Sequence, residues 1–588
     1  METLSQEKEK ELLSFVLDRF KELTDKKYEL DKRVVDWLGD YHSIPRGNKQ
    51  AWESDIFVPF AFSQIATIKP RLKRSLFQEK DFITVEAKHP DFVHCEQGIR
   101  DYIISEMEEI NFKHVVSDAI HDAMPYGTAW FKVVLSPLEN NISFSHLDFF
   151  NVITDVGQRG ERSNDFTDVF HRVETNLSNI RIKEEQGVYK NTDKVGETEF
   201  PMDDILENQI KVQGYSMSVP DLTIDKPSEK KSNKLNKVEL LEYWGWFDIN
   251  DDGKDEPIVM TIANRSVMLR VDINPDGIIP IFPLRIYRIP HIVYGKSFIQ
   301  LIEGLQAELN TKRNQFIDLL NLILKPWFKA RRHGDIDWDN LFGTPNNVIR
   351  MDDPLSDLVP FEPKTPPSYM FNTEGLIKND MQYTLGATDY NMGVSSGRGY
   401  TETATGISII TSESATRFAD YLDDINFDLM TVIEYIVYLI KNYRKNFRKI
   451  RAFNTQEWTE VTQKDIEADY KLRINLAPFV QNKELRMQVL MNLANTIGQL
   501  VDIKPLIRNI LELAEVKYID EILGNKLEEI KNKKVNIAKE RSTKEDIGVD
   551  RPINAITQGA GYSPLSPQAP QTVKNPVMEL IKNMGGSV

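Results

Sequence analysis

The sequence predicts an α+β multidomain chain, and three observations carry that reading. Strand-like and helix-like patterns are mixed through its first half, two long 3.6-residue periodicities fill its middle, and its end is rich in Pro, Gly, Ser and Gln. A length of 588 residues suits three or four domains.

Residues 5–38 read as a helix, because Leu12, Leu13, Val16, Phe20, Leu23 and Leu30 recur at three- and four-residue steps with charges between them. "FITVEA" (82–87) reads as a strand and 92–124 as helices. After Pro125-Tyr126-Gly127 comes the strand "TAWFKVVL" (128–135). Residues 157–236 are polar and broken, and "KPSEKKSNKLNK" (226–237) nearly lacks apolar side chains, so an exposed, loosely ordered insertion is expected there. A meander follows: "VELLEYWGWFDI" (238–249), the turn "NDDGKDEP", then "IVMTIA" and "SVMLRV" joined at Asn264-Arg265.

The first long helix is expected over Ser297–Leu324, stopped by Pro326. Residues 325–367 are Pro- and Asp-rich, and a shorter helix covers 369–386. Residues 388–406 ("TDYNMGVSSGRGYTETATG") form a long Gly/Ser/Thr loop. A second long helix runs from about 403–407 to about Arg444, a strand is expected at 470–480, helices return at 482–540, and 541–588 reads as largely disordered.

Composition narrows the function. A net charge of −16 argues against general nucleic-acid affinity, so any DNA contact must come from local basic patches. Cys95 is the sole cysteine, which leaves no disulfide framework or Cys-based zinc site within one chain. The charged start lacks a signal-peptide core. The most apolar helical stretch, 425–440, spans sixteen residues and holds Asp428 and Glu434, too short and too charged to cross a bilayer. A soluble protein is expected.

Gly295-Lys296-Ser297 invites comparison with a phosphate-binding P-loop. The pattern's first glycine falls on Pro290, which has no N–H to offer a phosphate. Ser297 instead suits a helix N-cap, with Gln300 as its capping-box partner. "DINDDGKDE" (248–256) begins like a calcium loop, with Asp248, Asn250, Asp252 and Gly253 in place, but the twelfth position is Val259 rather than Glu. A tight hairpin turn explains the same residues. Asp335, Asp337 and Asp339 alternate, which in a strand would put three carboxylates on one face where an ion could neutralise them, although a solvated acidic loop needs nothing extra; His114 and His121 lie near one helical face but have no third ligand at a recognised spacing. No catalytic signature is present, and neither an enzyme nor a cofactor is expected. "KPWFKARRH" sets Lys325, Lys329, Arg331 and Arg332 around Trp327 and Phe328, a patch able to touch phosphates or a partner. "KNYRKNFRKIR" (441–451) suits the cation-rich end of a helix.

The order of these pieces carries a resemblance. "WESDIFVPFAFSQIATIKPRLKRSLFQEKDFITVEA" (52–87), "AMPYGTAWFKVVL" (123–135), "HLDFFNVITDV" (146–156), "YGKSFIQLIEGLQAELNTKRNQFIDLLN" (294–321) and the run from "LGATDYNMGV" to "TATGISIITSESATRF" (385–418) resemble portal proteins of tailed bacteriophages. The resemblance covers most of residues 50–450. It implies a portal-type ring subunit, usually one of twelve, with no membrane partner, standing at the capsid vertex as the conduit for double-stranded DNA. Residues 1–296 and 449–481 would form a mixed α/β wing, 297–324 and 368–387 the stem helices, and 325–367 a small clip. Residues 388–406 would be the tunnel loop, 407–448 the helix behind it, and 482–540 an all-α crown. The clip would dock the terminase large subunit and later tail adaptor or head-completion proteins, with major capsid and scaffold proteins nearby. In the tunnel loop, Arg398 between Gly397 and Gly399, next to Tyr400, is the expected DNA contact. Two rivals remain: another ring-forming adaptor or minor head protein, and a metal-dependent nucleic-acid enzyme built on the aspartates.

Overall fold

The structure is a computed structural model of the 588-residue chain. It describes residues 6–45, 47, 49–50, 52–78, 82–136, 141–158, 165–195, 201, 204–217, 237–324, 328–332, 353, 357–360, 369–387, 404–444, 450–451, 458–459, 465–466, 468–475, 490, 507 and 510. Two compact units divide the chain, 1–481 and 482–588. Nearly all described residues belong to the first.

Helix α1 (Gln6–Tyr41) buries Leu12, Val16, Phe20 and Leu23, the predicted stripe, and continues through Val34, Val35 and Leu38. It is followed by α2 (Phe60–Phe77), β1 (Ile83–Ala87), α3 (Glu96–Glu109) and α4 (Phe112–Tyr126). Gly127 closes α4 in the left-handed conformation, φ +86°. Strands β2 (Ala129–Ser136) and β3 (Asn141–Leu147) then form a hairpin.

The main sheet has five antiparallel strands: β4 (Val152–Thr154), β5 (Val169–Asn176), β6 (Lys237–Phe247), β7 (Glu256–Ala263) and β8 (Val267–Ile273), adjacent in that order. The β7–β8 turn places Asn264 and Arg265 at φ 45° and 55°, the pair of positive values that a two-residue hairpin turn requires. A second sheet runs β3-β2-β9, with β9 (Ile281–Leu284) at its edge. Pro283 lies in β9 and is tolerated because an edge strand does not need every N–H.

Residues 157–236 depart from the expected loose insertion. Strand β5 lies inside the main sheet, paired with β4 on one side and β6 on the other. Val169 and Phe170 are fully buried. Helices α5 (Leu177–Glu185), α6 (Thr192–Val195) and α7 (Asp204–Ser216) follow. The polar look of β5 comes from buried pairs. Arg172 meets the fully buried Glu239 at 3.7 Å and donates from Nε to Asn151 at 3.1 Å. His171 approaches Glu242 at 3.3 Å, and Lys132 pairs with that same carboxylate. Gln209 on α7 donates to Asn151 at 2.8 Å and so ties that helix to the sheet. Residues 218–236 lie outside the described set.

The expected first long helix is α8 (Phe298–Leu324). Beyond it lie the short strands β10 (Phe328–Ala330) and β11 (Leu358–Pro360), then α9 (Tyr369–Leu385) and the 40-residue α10 (Ala404–Tyr443). Two-residue strands β12 (Ile450–Arg451) and β13 (Trp458–Thr459) pair with each other. The last described strand, β14 (Tyr470–Ile474), falls in the first part of the expected 470–480, of which 476–480 lie outside the described residues, and pairs antiparallel with β1, from Ile83↔Ile474 to Ala87↔Tyr470.

Candidate functional site: the start of α8 and the β10–β11 hairpin

Glycine decides how α8 begins. Gly127 and Gly295 pack backbone against backbone, leaving no room for a side chain on either. The Gly295 amide donates to Thr128 Oγ1 at 2.9 Å and the Lys296 amide to the Tyr287 carbonyl at 2.9 Å. Ser297 Oγ accepts from the Ile299 and Gln300 amides at 3.0 and 3.4 Å and donates to the Pro125 carbonyl at 2.7 Å. The Gly-Lys-Ser run is therefore a helix cap keyed into the end of α4. The Gly295 and Lys296 amides are committed to the protein itself.

Along its length α8 holds an extended strap, residues 54–58, and the start of α2 through a ladder of polar side chains. The Ser54 amide donates to Asp318 at 2.7 Å, Ile56 to Asn314 at 2.8 Å, Val58 to Asn310 at 3.0 Å and Ala61 to Gln306 at 3.2 Å. Asn314 and Gln306 return the bond, donating to the Ile56 and Val58 carbonyls at 3.1 and 2.8 Å. The periodicities match: four helical residues rise about 6 Å, and two extended residues span about 6.6 Å. Each turn of helix thus meets every second strap residue.

Helix α9 packs on α8 through the buried Ile377, Met381 and Leu385, with Arg313 and Glu374 paired at 3.1 Å. Helix α10 is clamped to the segment after β9. Arg285 and Asp428, both almost fully buried, form a two-pronged pair, Nη2–Oδ1 at 2.6 Å and Nε–Oδ2 at 3.0 Å. The Arg285 amide adds a third bond to Asp428 at 2.9 Å, and the Arg288 amide donates to Asp424 at 3.0 Å. The far end of α10 is fixed by Tyr438 and Tyr443, both donating to Asp276, and by Arg444, which pairs with the buried Glu106 of α3. Arg444 is therefore a structural cation. Residues 445–449, the rest of that basic run before β12, lie outside the described set.

Between α8 and α9, strands β10 and β11 pair antiparallel, Phe328↔Pro360 to Ala330↔Leu358. Lys329, Arg331 and Arg332 are exposed, and so are Phe328 and Val359. Arg331 is partly neutralised: it lies 3.5 Å from the buried Asp357 and donates its amide to the Asp357 carbonyl at 2.9 Å. Lys325 and Trp327, the residues Gly397, Arg398, Gly399 and Tyr400 expected in a tunnel loop, and the aspartates at 335, 337 and 339 all lie outside the described residues.

The acidic turn joins β6 to β7 as a hairpin, Phe247 opposite Glu256. Asp248, Asp252 and Glu256 are the carboxylates it gathers. Asn250 is not part of that set; it donates to Glu256 at 2.7 Å. Asp248 accepts the Asp252 and Gly253 amides at 3.2 and 2.8 Å, and Glu256 accepts the Ile249 amide at 2.9 Å. These bonds close the turn, with Asp251 and Gly253 at φ 55° and 79°.

Two long helices are thus rooted in a mixed α/β body, and a short exposed hairpin lies between them. A family model described as "Phage SU10 portal protein" matches residues 139–534, about two thirds of the chain. The chain belongs to the phage SU10 portal protein family. Portal proteins stand at the capsid vertex and build homo-oligomeric rings, and no described helix here is long and apolar enough to cross a membrane.

Proposed function

We propose that this portal protein forms a dodecameric ring through which double-stranded DNA is packaged and later ejected. In this reading the body built on the two sheets is the wing, α8 and α9 are stem helices, and residues 325–367 are the clip. Residues 388–406 line the tunnel, with Arg398 touching the passing duplex, and 482–540 form the crown. The observation that supports it best is how α8 and α10 are rooted. Helices of about 40 and 60 Å leave the same α/β body, each held there by buried polar bonds rather than by apolar packing alone. Such roots suit elements that carry load between capsid and tail.

The exposed Lys329, Arg331 and Arg332 make the β10–β11 hairpin the docking point for the terminase large subunit and then for tail adaptors. A net-acidic chain with only a few basic contacts to the duplex suits a conduit, because each phosphate neutralised would add salt-dependent drag on moving DNA. The test reverses charge at all three hairpin cations. Rings should still assemble while terminase-dependent packaging falls at least tenfold, and unchanged packaging would remove the hairpin from the docking surface.

A further inference from the structure

We propose that the corner where the end of α1, the middle of α4 and strand β3 meet is a proton-operated joint that loosens as the pH falls below neutrality. His146 on β3 places Nε2 3.5 Å from Oδ2 of Asp122 on α4. One residue earlier, His121 meets the ring of Tyr41 edge-on, at 5.9 Å between centroids. Tyr41 lies 4.9 Å from the ring of His42, whose Nε2 is 3.3 Å from Ser216 Oγ on α7. Three imidazoles therefore join four elements. Among the described residues, buried Nδ1 of His121 and Nε2 of His146 find no hydrogen-bond partner. Neither of these two nitrogens is held in one protonation state by a hydrogen bond.

The charged groups around them come from every side: Lys69 of α2, Asp118 and Asp122 of α4, and Asp148 just after β3. Tyr41 and Tyr126 add phenols whose ionisation burial suppresses. Burial depresses all three imidazoles below the ordinary histidine value of 6.5, with Lys69 adding repulsion at His121. Burial first, then Asp148 and Asp118, pushes the Asp122 carboxyl up to about 7.

The two kinds of group act with opposite sign. Depressed imidazoles give stability that is full above pH 6.5 and is lost as pH falls through their folded values. Asp122, raised in the folded state, contributes more as pH falls from about 7 towards 3.8. Between the closed and the open imidazole values the open corner binds protons that the closed imidazoles refuse, up to three, while the closed corner keeps the Asp122 proton that the open one releases. Opening takes up protons on balance, at most about two, so its equilibrium constant rises as the pH falls, by at most roughly a hundredfold per pH unit.

Amide hydrogen exchange across α4 and β3, measured on the full-length assembled protein and corrected for intrinsic exchange, reads this slope. Asp122→Asn removes the opposing proton and should steepen it towards about a thousandfold per unit. His146→Gln removes one imidazole and should flatten it towards about tenfold. A merely structural role would not move the two variants in opposite directions. A flat wild-type profile, or equal slopes in both variants, would overturn the proposal. Imidazole C2–H exchange in the unmutated protein gives an independent reading: values below 6.5 for His121 and His146 support it, and values at or above 6.5 refute it.

Discussion

A Cβ on Gly127 would stand 2.5 Å from the carbonyl oxygen of Gly295, and one on Gly295 would stand 2.6 Å from that of Gly127. Both obstacles are backbone, so neither can swing aside, and Gly127 is also at positive φ. Ala at either position should destabilise the junction by about 2–4 kcal/mol, seen as a lowered melting temperature with loss of soluble assembly. Lys296→Ala, which removes only a cation 5.9 Å from the Tyr287 ring, should cost under about 1 kcal/mol. A P-loop lysine would show the reverse ranking in function.

The Arg285–Asp428 clamp is buried on both sides, so breaking it strands a charge. Asp428→Ala should destabilise α10 by about 3–5 kcal/mol, read by hydrogen exchange over residues 418–440. The double variant Arg285→Met with Asp428→Leu should recover most of that loss, because no buried charge is left unpaired. Equal damage in the single and double variants would contradict this account of the clamp.

Asn314 both accepts from and donates to Ile56, so it is the most informative rung of the ladder. Asn314→Leu should cost about 1–3 kcal/mol and raise amide exchange at 54–58 ahead of the rest of the chain. Asn314→Asp keeps the acceptor but sets a buried carboxylate against the Ile56 carbonyl, so it should cost at least as much. Equal protection of the strap in all three proteins would show that the ladder is incidental.

The acidic turn should be indifferent to metal. Its carboxylates are already spent on its own amides and on Asn250, and Lys8 pairs with Asp251 beside them. Chelation followed by millimolar calcium should leave the melting temperature unchanged, whereas a calcium-dependent rise would mark an ion site.

How far the sequence disclosed this protein depended on whether a residue's pattern and its environment agreed. Helices α8 and α10 were legible because their apolar periodicity is long and unbroken, and Ser297 because a cap has a local signature. Strand β5 was not, since Arg172 and His171 look like surface residues until Glu239 and Glu242 are brought beside them from 67 and 71 positions away in sequence. The strap ladder was invisible for a related reason: Gln306, Asn310, Asn314 and Asp318 at four-residue spacing look like the solvated face of a helix. In the acidic turn, the hairpin brings Glu256 beside Asp248 and Asp252, a carboxylate that calcium-loop spacing does not point to.

The native mass of the purified protein tests the central claim most directly. Twelve chains of 67.9 kDa predict a particle of about 815 kDa, imaged as a ring with a central hole. A stable dimer with metal-dependent activity on DNA would contradict it.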